Sequence, residues 1–402
     1  SSSRGLGDVY KRQLSFKLTK DQLNTLKDIK SDLSLNKQMY RLIQGDVGSG
    51  KTIVALLIIA DVIKSGFQAV LMAPTEILAN QHFDYFHKLL SPFSIKTEIL
   101  TGKTKNKKDV YARLTNKDID VLIGTHSVYN SSIEFHKLGL IVIDEQHKFG
   151  VRQRINLLEK SVGCHTLIMS ATPIPRSLSF AIYGEISISN IKSKPHGRKD
   201  VVTSLINKNN IEILLEGIER KINKNEQIFW ILPTIGTFDS EQQTLITRYE
   251  FLKERFKNKV GFIHGKMKKE ETDKVMFDFK EQKTMILVST TVIEVGINIP
   301  NATLMIIENV ERFGLSQIHQ LRGRVTRSNL QSNCVLIYNH NLSELSKQRL
   351  SILKNSSDGF EIAEKDLYLR GAGDFFGTNQ TGLPSRKFFR PCLLYTSPSP
   401  RD

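Results

Sequence analysis

The chain has 402 residues, 40% of them hydrophobic, and carries a formal net charge of +16 at pH 7. Its length predicts two domains with an extension. Its apolar runs all stop short of the roughly 20 residues that cross a bilayer, which favours a soluble protein. The excess of Lys and Arg suits a polyanionic partner, although a solvated basic surface would give the same charge.

The two ends of the chain differ in character from everything between them. One DNA sequence can encode residues 3–13, and its reverse complement, read in another frame, encodes residues 392–402. Inverted copies of this kind are typical of a sequencing adapter. We therefore interpret residues 1–13 and 392–402 as non-native and expect the rest to be a fragment of a longer protein. Without these ends, which hold four basic and two acidic residues, the net charge is +14.

The remaining cysteines, Cys164 and Cys334, lie far apart in the sequence and form no CxxC pair. A structural metal site and a disulfide framework are both disfavoured, which fits a reducing compartment.

Short apolar runs alternate with longer amphipathic stretches, which predicts an α/β fold with parallel sheets covered on both faces. Five such runs precede a polar connector at Lys192 to Asp200, and six follow it, so we expect two successive domains. After Asn339 the alternation stops and a helical stretch begins. The predicted ranges are 14–196, 197–339 and 340–391. The strand runs are MYRLIQ, AVLMAP, DVLIGT, LGLIVIDE and HTLIMSAT, then VVTSLI, QIFWILPT, VGFIHG, TMILVST, TLMIIEN and NCVLIY.

The stretch from Gly45 to Thr52, GDVGSGKT, matches the pattern of a phosphate-binding loop between a strand and a helix. Glycines let backbone amides converge on phosphate oxygens, Lys51 would reach the β and γ phosphates, and Thr52 would bind Mg²⁺. A plain Gly-rich turn would not need Lys followed by Thr. The predicted nucleotide-binding residues are Gly45, Asp46, Val47, Gly48, Ser49, Gly50, Lys51 and Thr52.

A second chemical signal is the pair Asp144 and Glu145, which ends the apolar run LIVIDE. At such a strand end both carboxylates can approach one phosphate site. We expect Asp144 to bind Mg²⁺ through water and Glu145 to accept a proton from the attacking water. The alternative is a solvated strand end, but a buried strand downstream of the phosphate-binding loop favours catalysis.

Together these residues resemble the superfamily-two helicases, whose motifs follow in order along the chain. In the first half the matching stretches are LTKDQ, GDVGSGKT, APTEILANQH, LTGK, GTHS, DEQH and SATPIPR; in the second they are IHGKM, TTVIEVGINIP and QLRGRVTR. The resemblance implies two tandem RecA-like P-loop NTPase domains, with ATP and Mg²⁺ as cofactors.

Within that group the chain resembles the RecG family, with GDVGSGKT, DEQHKFGV and DLYLRGAGDFFGTNQTGLP as the main matches. The alternative is the related Mfd translocases of transcription-coupled repair. The RecG resemblance implies a C-terminal helical hairpin and loop, and ATP-dependent remodelling of branched DNA such as stalled forks and Holliday junctions in repair and recombination. It also implies a monomer in the bacterial cytoplasm and, in the full-length protein, contact with single-strand-binding protein.

The resemblance assigns further nucleotide-site roles: Gln22 reads the adenine, His147 couples the nucleotide to the interdomain cleft, and Arg324 and Arg327 stabilise the transition state. Spacing alone allows the arginines to be a basic helix face on nucleic acid or solvent, and Arg322, two residues before Arg324, could be structural. The remaining positions carried over to the nucleotide site are Gln320, Gly296 and Asn298.

DNA contacts are implied at strand ends, where helix N-termini and amides suit backbone phosphates. Each Thr at such a position could equally be a helix cap, and the histidines could be packed. Trp230, in an apolar strand, is expected in the core rather than stacked on a base. The implied DNA-binding residues are Pro74, Thr75, Thr101, Gly102, Thr125, His264, Gly265, Thr290, Thr291, Arg370 and Gln380.

Three residues depart from the RecG pattern: Thr326 and Asn379 replace Gly and a basic residue, and Asn298 replaces Asp. Any of them could slow the motor. The wedge domain that splits fork arms in RecG proteins has no counterpart here, so we expect ATP and duplex binding without efficient unwinding. The alternative function is a nucleotide-gated DNA-binding module with weak turnover.

Overall fold

The structure is a computed structural model. It describes residues 16–129, 133–144, 163–172, 186–193, 199–233, 238–265, 267–290, 299–325, 330–339 and 342–370, without the side chains at 126, 129, 238–241, 269 and 370. Within these ranges no helix is both long and apolar enough to span a membrane.

The first sheet has seven parallel strands in the order β3-β4-β2-β5-β6-β1-β7. Its central strands are apolar runs buried on both faces, as expected for a parallel sheet between helix layers. The sequence predicted five of the seven; the edge strands β3 and β7 were missed because TEIL and SISNI are short and half polar. The strands are β1 Tyr40–Gly45, β2 Gln68–Met72, β3 Thr97–Leu100, β4 Val121–Gly124, β5 Leu138–Asp144, β6 His165–Ser170 and β7 Ser187–Ile191.

Four described helices accompany this sheet. The second of them is apolar nearly all round and buried along most of its length, because it packs in the middle of the main core cluster. Its N-terminus follows directly from the phosphate-binding loop. The helices are α1 Lys20–Leu33, α2 Lys51–Lys64, α3 Glu76–Leu90 and α4 Lys107–Thr115.

The second sheet has six parallel strands in the order β10-β11-β9-β12-β13-β8, and all six were predicted from the sequence. The strands are β8 Val202–Asn207, β9 Gln227–Leu232, β10 Val260–Ile263, β11 Ile286–Thr290, β12 Ala302–Glu308 and β13 Asn333–Tyr338. Its helices are α5 Ile211–Ile222, α6 Phe238–Phe256, α7 Lys269–Lys280 and α8 Leu315–Arg322.

A helical hairpin follows the second sheet, as the sequence predicted. It consists of α9 Glu344–Asn355 and α10 Gly359–Arg370. Leu350, Leu353 and Ile362 of the hairpin belong to the same buried cluster as the side chains of α8. The hairpin is therefore an integral part of the second domain's core.

The two sheets repeat one strand order, which the sequence did not reveal as a short-period repeat. A buried glutamine begins the equivalent strands β2 and β9. Gln68 Nε2 donates to the carbonyls of Leu114 (3.0 Å) and Ile119 (2.7 Å), where a helix ends and the next strand begins. Gln227 Nε2 donates in the same way to the carbonyls of Phe279 and Thr284. Each amide thereby joins the end of a helix to the start of the next strand, and the helix-end carbonyls of Leu114 and Phe279 also accept from the backbone N–H groups of Lys117 and Gln282.

Replacing either glutamine with Leu should destabilise its domain by about 1–3 kcal/mol, because the carbonyl group that precedes the next strand, that of Ile119 or Thr284, loses its side-chain donor. Urea unfolding followed by tryptophan fluorescence and circular dichroism measures this change. Gln331→Leu is the control: Gln331 is exposed and also donates to a carbonyl, that of Asp200. Equal stability of all three variants would contradict the prediction.

Candidate nucleotide and DNA site

The phosphate-binding loop connects β1 to α2 with two glycines in the left-handed region. Gly48 has φ of 80° and Gly50 has φ of 89°. A Cβ atom on Gly50 would lie 2.2 Å from Nε2 of Gln22, so backbone conformation and space both require glycine. A loop of this shape turns backbone amides inwards, as anion-binding nests do.

The positively charged side chain of Lys51 lies inside this loop. Lys51 is 8% exposed, and its Nζ donates to the carbonyl oxygens of Gly45 (2.6 Å) and Asp46 (3.0 Å). The hydroxyl of Ser49 is buried and has no hydrogen-bond partner among the described residues. Thr52 occupies the first turn of α2, whose N-terminus adds partial positive charge. An inward-facing ammonium, a helix N-terminus and an unused donor fit the phosphates of a nucleotide.

Gln22 supports this loop through hydrogen bonds of its side chain. Its side chain is buried, accepts from the backbone N–H of Thr19 (2.9 Å) and donates to the carbonyl of Ser49 (2.7 Å). The sequence assigned this amide to adenine recognition. Each end of the amide makes one bond to the protein, which leaves one N–H donor and one acceptor lone pair for a ligand.

Asp144 stands at the end of β5, half-buried, as predicted. Its Oδ2 lies 2.9 Å from Nε2 of His82, a residue of α3 in the stretch APTEILANQH for which the sequence predicted no role. In the described part of the chain, no group of three or more His, Cys, Asp or Glu side chains could hold a metal ion. Thr52 and Asp144 would be the residues that hold Mg²⁺, together with phosphate and water oxygens, the usual coordination for that ion.

The side chain of Asp46 points away from the loop and into the second domain. Its Oδ1 lies 2.9 Å from Nε2 of His319 on α8, and its Oδ2 accepts from the backbone N–H of Gly359 (3.4 Å), the first residue of α10. Burial alone would raise the pKa of Asp46, but the bonds from His319 and Gly359 and the charge of Lys51 lower it. One carboxylate thus joins the loop, the second sheet's domain and the hairpin.

Two glycines permit this close approach. A Cβ atom on Gly323 would lie 2.8 Å from Cβ of Val47, and one on Gly359 would lie 2.1 Å from Oδ1 of Asp46. Between the two domains runs a narrow cleft of ≈ 40 Å³, smaller than the pockets that usually hold small ligands. Its lining includes Ser49 from the loop and His319 from α8.

Arg322 is structural, as the alternative interpretation proposed. It is 3% exposed and donates to the carbonyls of Leu353 (2.8 Å) and Ser356 (3.1 Å), which ties the hairpin to α8. Its other terminal nitrogen lies 2.8 Å from Nδ1 of His319. Burial lowers the pKa of this guanidinium. The predicted site residues Gln320 and Arg324 are half-buried beside it, on α8 and in the turn Gly323–Val325.

The structure brings the DNA-binding candidates of the first domain together where β2, β4 and β3 end side by side. The Ala73 N–H donates to the carbonyl of Gly124, and a Cβ atom on Gly102 would lie 3.2 Å from Oε1 of Glu76. Pro74, Thr75 and Thr125 belong to the same edge.

The threonine side chains on this edge face the protein. The hydroxyl of Thr75 accepts from the Leu78 N–H (3.3 Å) and caps α3, while that of Thr101 accepts from the Lys103 N–H (3.3 Å). Thr125 is 3% exposed. The helix-cap interpretation therefore holds for Thr75, whereas the hydroxyl of Thr101 closes a turn that precedes α4.

In the second domain, His264, Gly265 and Thr290 end the neighbouring strands β10 and β11. Thr290 is buried, and the ring of His264 stacks on Phe262 with centroids 6.1 Å apart. Trp230 is fully buried and donates from Nε1 to Glu308 (2.9 Å), so its expected place in the core is confirmed.

Comparison with known proteins shows which family the chain belongs to. The model of the DEAD/DEAH box helicases matches residues 19–180, and that of the helicase conserved C-terminal domain matches residues 209–329. The ATP-dependent DNA helicase RecG of Bacillus subtilis is 44% identical over 381 residues, which cover 94% of this chain and 56% of that protein. RecG of Synechocystis is 45% identical over 379 residues, covering 92% and 45%. The chain belongs to the RecG family.

Solved structures agree with this assignment. A RecG protein bound to a three-way DNA junction superposes with a TM-score of 0.83 at 41% identity, covering 97% of this chain and 51% of that one. Mss116p, solved with single-stranded RNA and AMP-PNP, has a TM-score of 0.64 at 21% identity, which shows a shared fold. This RecG-family chain spans about half the length of the curated RecG proteins it matches.

Several predicted residues lie outside the described part of this RecG-family chain. They include the proposed base Glu145 and the second arginine of the α8 motif, Arg327. The others are His147, Gly296, Thr291 and Gln380, the three departures Asn298, Thr326 and Asn379, the side chain of Arg370, and the end segments 1–13 and 392–402.

Gly359→Ala should displace the hairpin from the phosphate-binding loop, because the new Cβ atom has no room beside Asp46. We expect amide hydrogen exchange in α10 to accelerate at least tenfold, which mass spectrometry of the corresponding peptides measures. Gly217→Ala in α5 is the control: its Cβ would meet nothing closer than 4.0 Å, and Ala is the better helix former. Unchanged exchange in the Gly359 variant would contradict the close packing.

Proposed function

We propose that this chain is the motor of a RecG-type, ATP-dependent DNA translocase or helicase that remodels branched DNA, such as stalled forks and Holliday junctions, in repair and recombination. The observation that carries the proposal is the Asp46 contact. The loop that would hold ATP bonds directly to the second domain and to the hairpin, so a change at the nucleotide can move both.

In the proposed reaction, Lys51 binds the β and γ phosphates, and Thr52 and Asp144 hold the metal ion. Mg²⁺-bound ATP supplies the phosphoryl group that is transferred to water. Glu145 takes the proton of that water, and Arg324 and Arg327 stabilise the charge that develops on the phosphoryl oxygens. Gly296, Asn298 and Gln320 complete the nucleotide site.

DNA is the proposed partner on the edge where β2, β3 and β4 end, continued by the ends of β10 and β11. The net positive charge of the chain suits backbone phosphates, which carry most of the affinity for nucleic acids. The neighbouring RecG structure, described as bound to a three-way DNA junction, supports this choice.

The organisation we propose has an ATP-binding domain at residues 14–196, a C-terminal helicase domain at 197–339 and a translocation region at 340–391. We propose a monomer that acts in the bacterial cytoplasm and contacts single-strand-binding protein within a longer protein. Residues 1–13 and 392–402 are proposed to be adapter-derived.

Steady-state ATP hydrolysis with forked, duplex and single-stranded DNA tests the function. DNA should stimulate turnover. Lys51→Ala should reduce the turnover at least 100-fold, because the loop loses the ammonium group that would bind the phosphates. Lys64→Ala, on the exposed end of the same helix, is the matched control and should keep wild-type turnover. Glu145→Gln should bind ATP but not hydrolyse it. Tight ATP binding without DNA-stimulated turnover in the wild type would support the nucleotide-gated binding module instead.

A further inference from the structure

Helix α3 connects the proposed DNA edge with the proposed metal ligand. Thr75, its N-cap, follows β2 directly, and His82 lies seven residues further along. Seven residues make about two helical turns, so both positions share one face and lie roughly 10 Å apart along the axis. The helix therefore presents one end to the DNA edge and the side chain of His82 to Asp144.

The contact between His82, in the middle of α3, and Asp144 is shielded from water. Nε2 of His82 lies 2.9 Å from Oδ2 of Asp144, with 10% and 13% of the two side chains exposed. The imidazole also meets the ring of Phe86 edge-on, with centroids 6.3 Å apart and planes at 86°, and Phe86 is fully buried. The imidazole thus lies between the core and the carboxylate of Asp144. A shift of α3 must therefore move the side chain of Asp144 or break its hydrogen bond with His82.

The N-terminal end of α3 contacts the ends of the neighbouring strands β3 and β4. Glu76, in the first turn of α3, faces Gly102 after β3, and the segment before Thr75 bonds to the end of β4. A backbone phosphate bound on this edge would press on the first turn of α3. Because an α-helix of 15 residues transmits displacement along its axis, the same shift reaches His82.

A purely structural role explains this contact less well. Helix-to-sheet packing at a buried position is usually served by an apolar side chain, and replacing a buried polar pair with apolar groups is often neutral or stabilising. A histidine that reaches the carboxylate fixes the orientation of the oxygens that would face the metal ion. Residues that hydrogen-bond to metal ligands generally orient those ligands in this way.

We propose that His82 is a positioning residue that couples DNA binding to the nucleotide site by holding Asp144 in the orientation set by α3. The inference rests on the proposed function. It adds a route within the first domain, independent of the Asp46 contact with the second. Thermodynamic reciprocity then requires nucleotide to change the affinity for DNA by the same factor as DNA changes the affinity for nucleotide.

Three variants separate the hydrogen bond from the shape of the side chain. His82→Phe keeps a ring against Phe86 and removes the bond; His82→Gln places an amide nitrogen near the position of Nε2. The control is His87→Phe on the same helix, where an exposed histidine bonds through Nδ1 to Thr97 (2.9 Å) and stacks on Phe83. If His82→Phe does not fold, His82→Asn replaces it, because its amide is too short to reach Asp144.

The measurement is the Kd for a labelled DNA duplex with and without a non-hydrolysable ATP analogue and Mg²⁺. Couplings of about 5- to 150-fold are typical of linked sites. We expect such a factor in the wild type, in His82→Gln and in His87→Phe, and a factor at least threefold smaller in His82→Phe, where only the Asp46 route remains. Amide hydrogen exchange in α3 on addition of DNA alone should slow in every variant, because the DNA edge is intact.

The outcomes are distinct. Wild-type coupling retained in His82→Phe overturns the inference alone, and so does a loss in His82→Gln equal to that in His82→Phe. If the wild type binds DNA equally well with and without nucleotide, the proposed function fails and this inference fails with it.

Discussion

The half-buried carboxylate of Asp46 makes the contact on which the arrangement of the two domains depends. It receives hydrogen bonds from α8 and from the first amide of α10, while its own backbone carbonyl accepts from Lys51. A buried charge that loses one partner is strongly destabilising, so its partners tend to remain together or to separate together. The loop, α8 and the hairpin are thereby linked at the point where a nucleotide would bind.

Side chains around this point mostly support the loop rather than face a ligand. Gln22 bonds to the carbonyl of Ser49, and Arg322 bonds to the end of α9. Both lie within motifs that the sequence associates with nucleotide chemistry. Holding the loop and α8 in fixed positions is itself a requirement for such chemistry, since charge stabilisation depends on groups that are already oriented.

The sequence predicted much of the fold because the central strands of a parallel sheet are apolar throughout and unambiguous. It missed β3 and β7, since edge strands are half solvated and their composition resembles that of loops. It also placed the loop glycines and Lys51 correctly within a strand–loop–helix unit, because that geometry follows from local residues alone.

The partners of the site residues could not be predicted in the same way. Asp46 and His319 are separated by 273 positions, and Asp144 and His82 by 62. Local patterns identify a residue's type and its element, but the direction of its side chain depends on long-range packing. The only available signal for His82 was its spacing of two helical turns from Thr75.

A double-mutant cycle across Asp46 and His319 tests most directly whether this contact links the loop to the second domain. DNA-stimulated ATP turnover is measured for Asp46→Ala, His319→Ala and the double variant, with the exposed pair Glu212 and Arg255 as a control cycle. If the two residues act together, the double variant should lose no more than the more damaging single variant, a coupling of about 1 kcal/mol or more. Additive losses, equal to the product of the two single effects, would contradict the account.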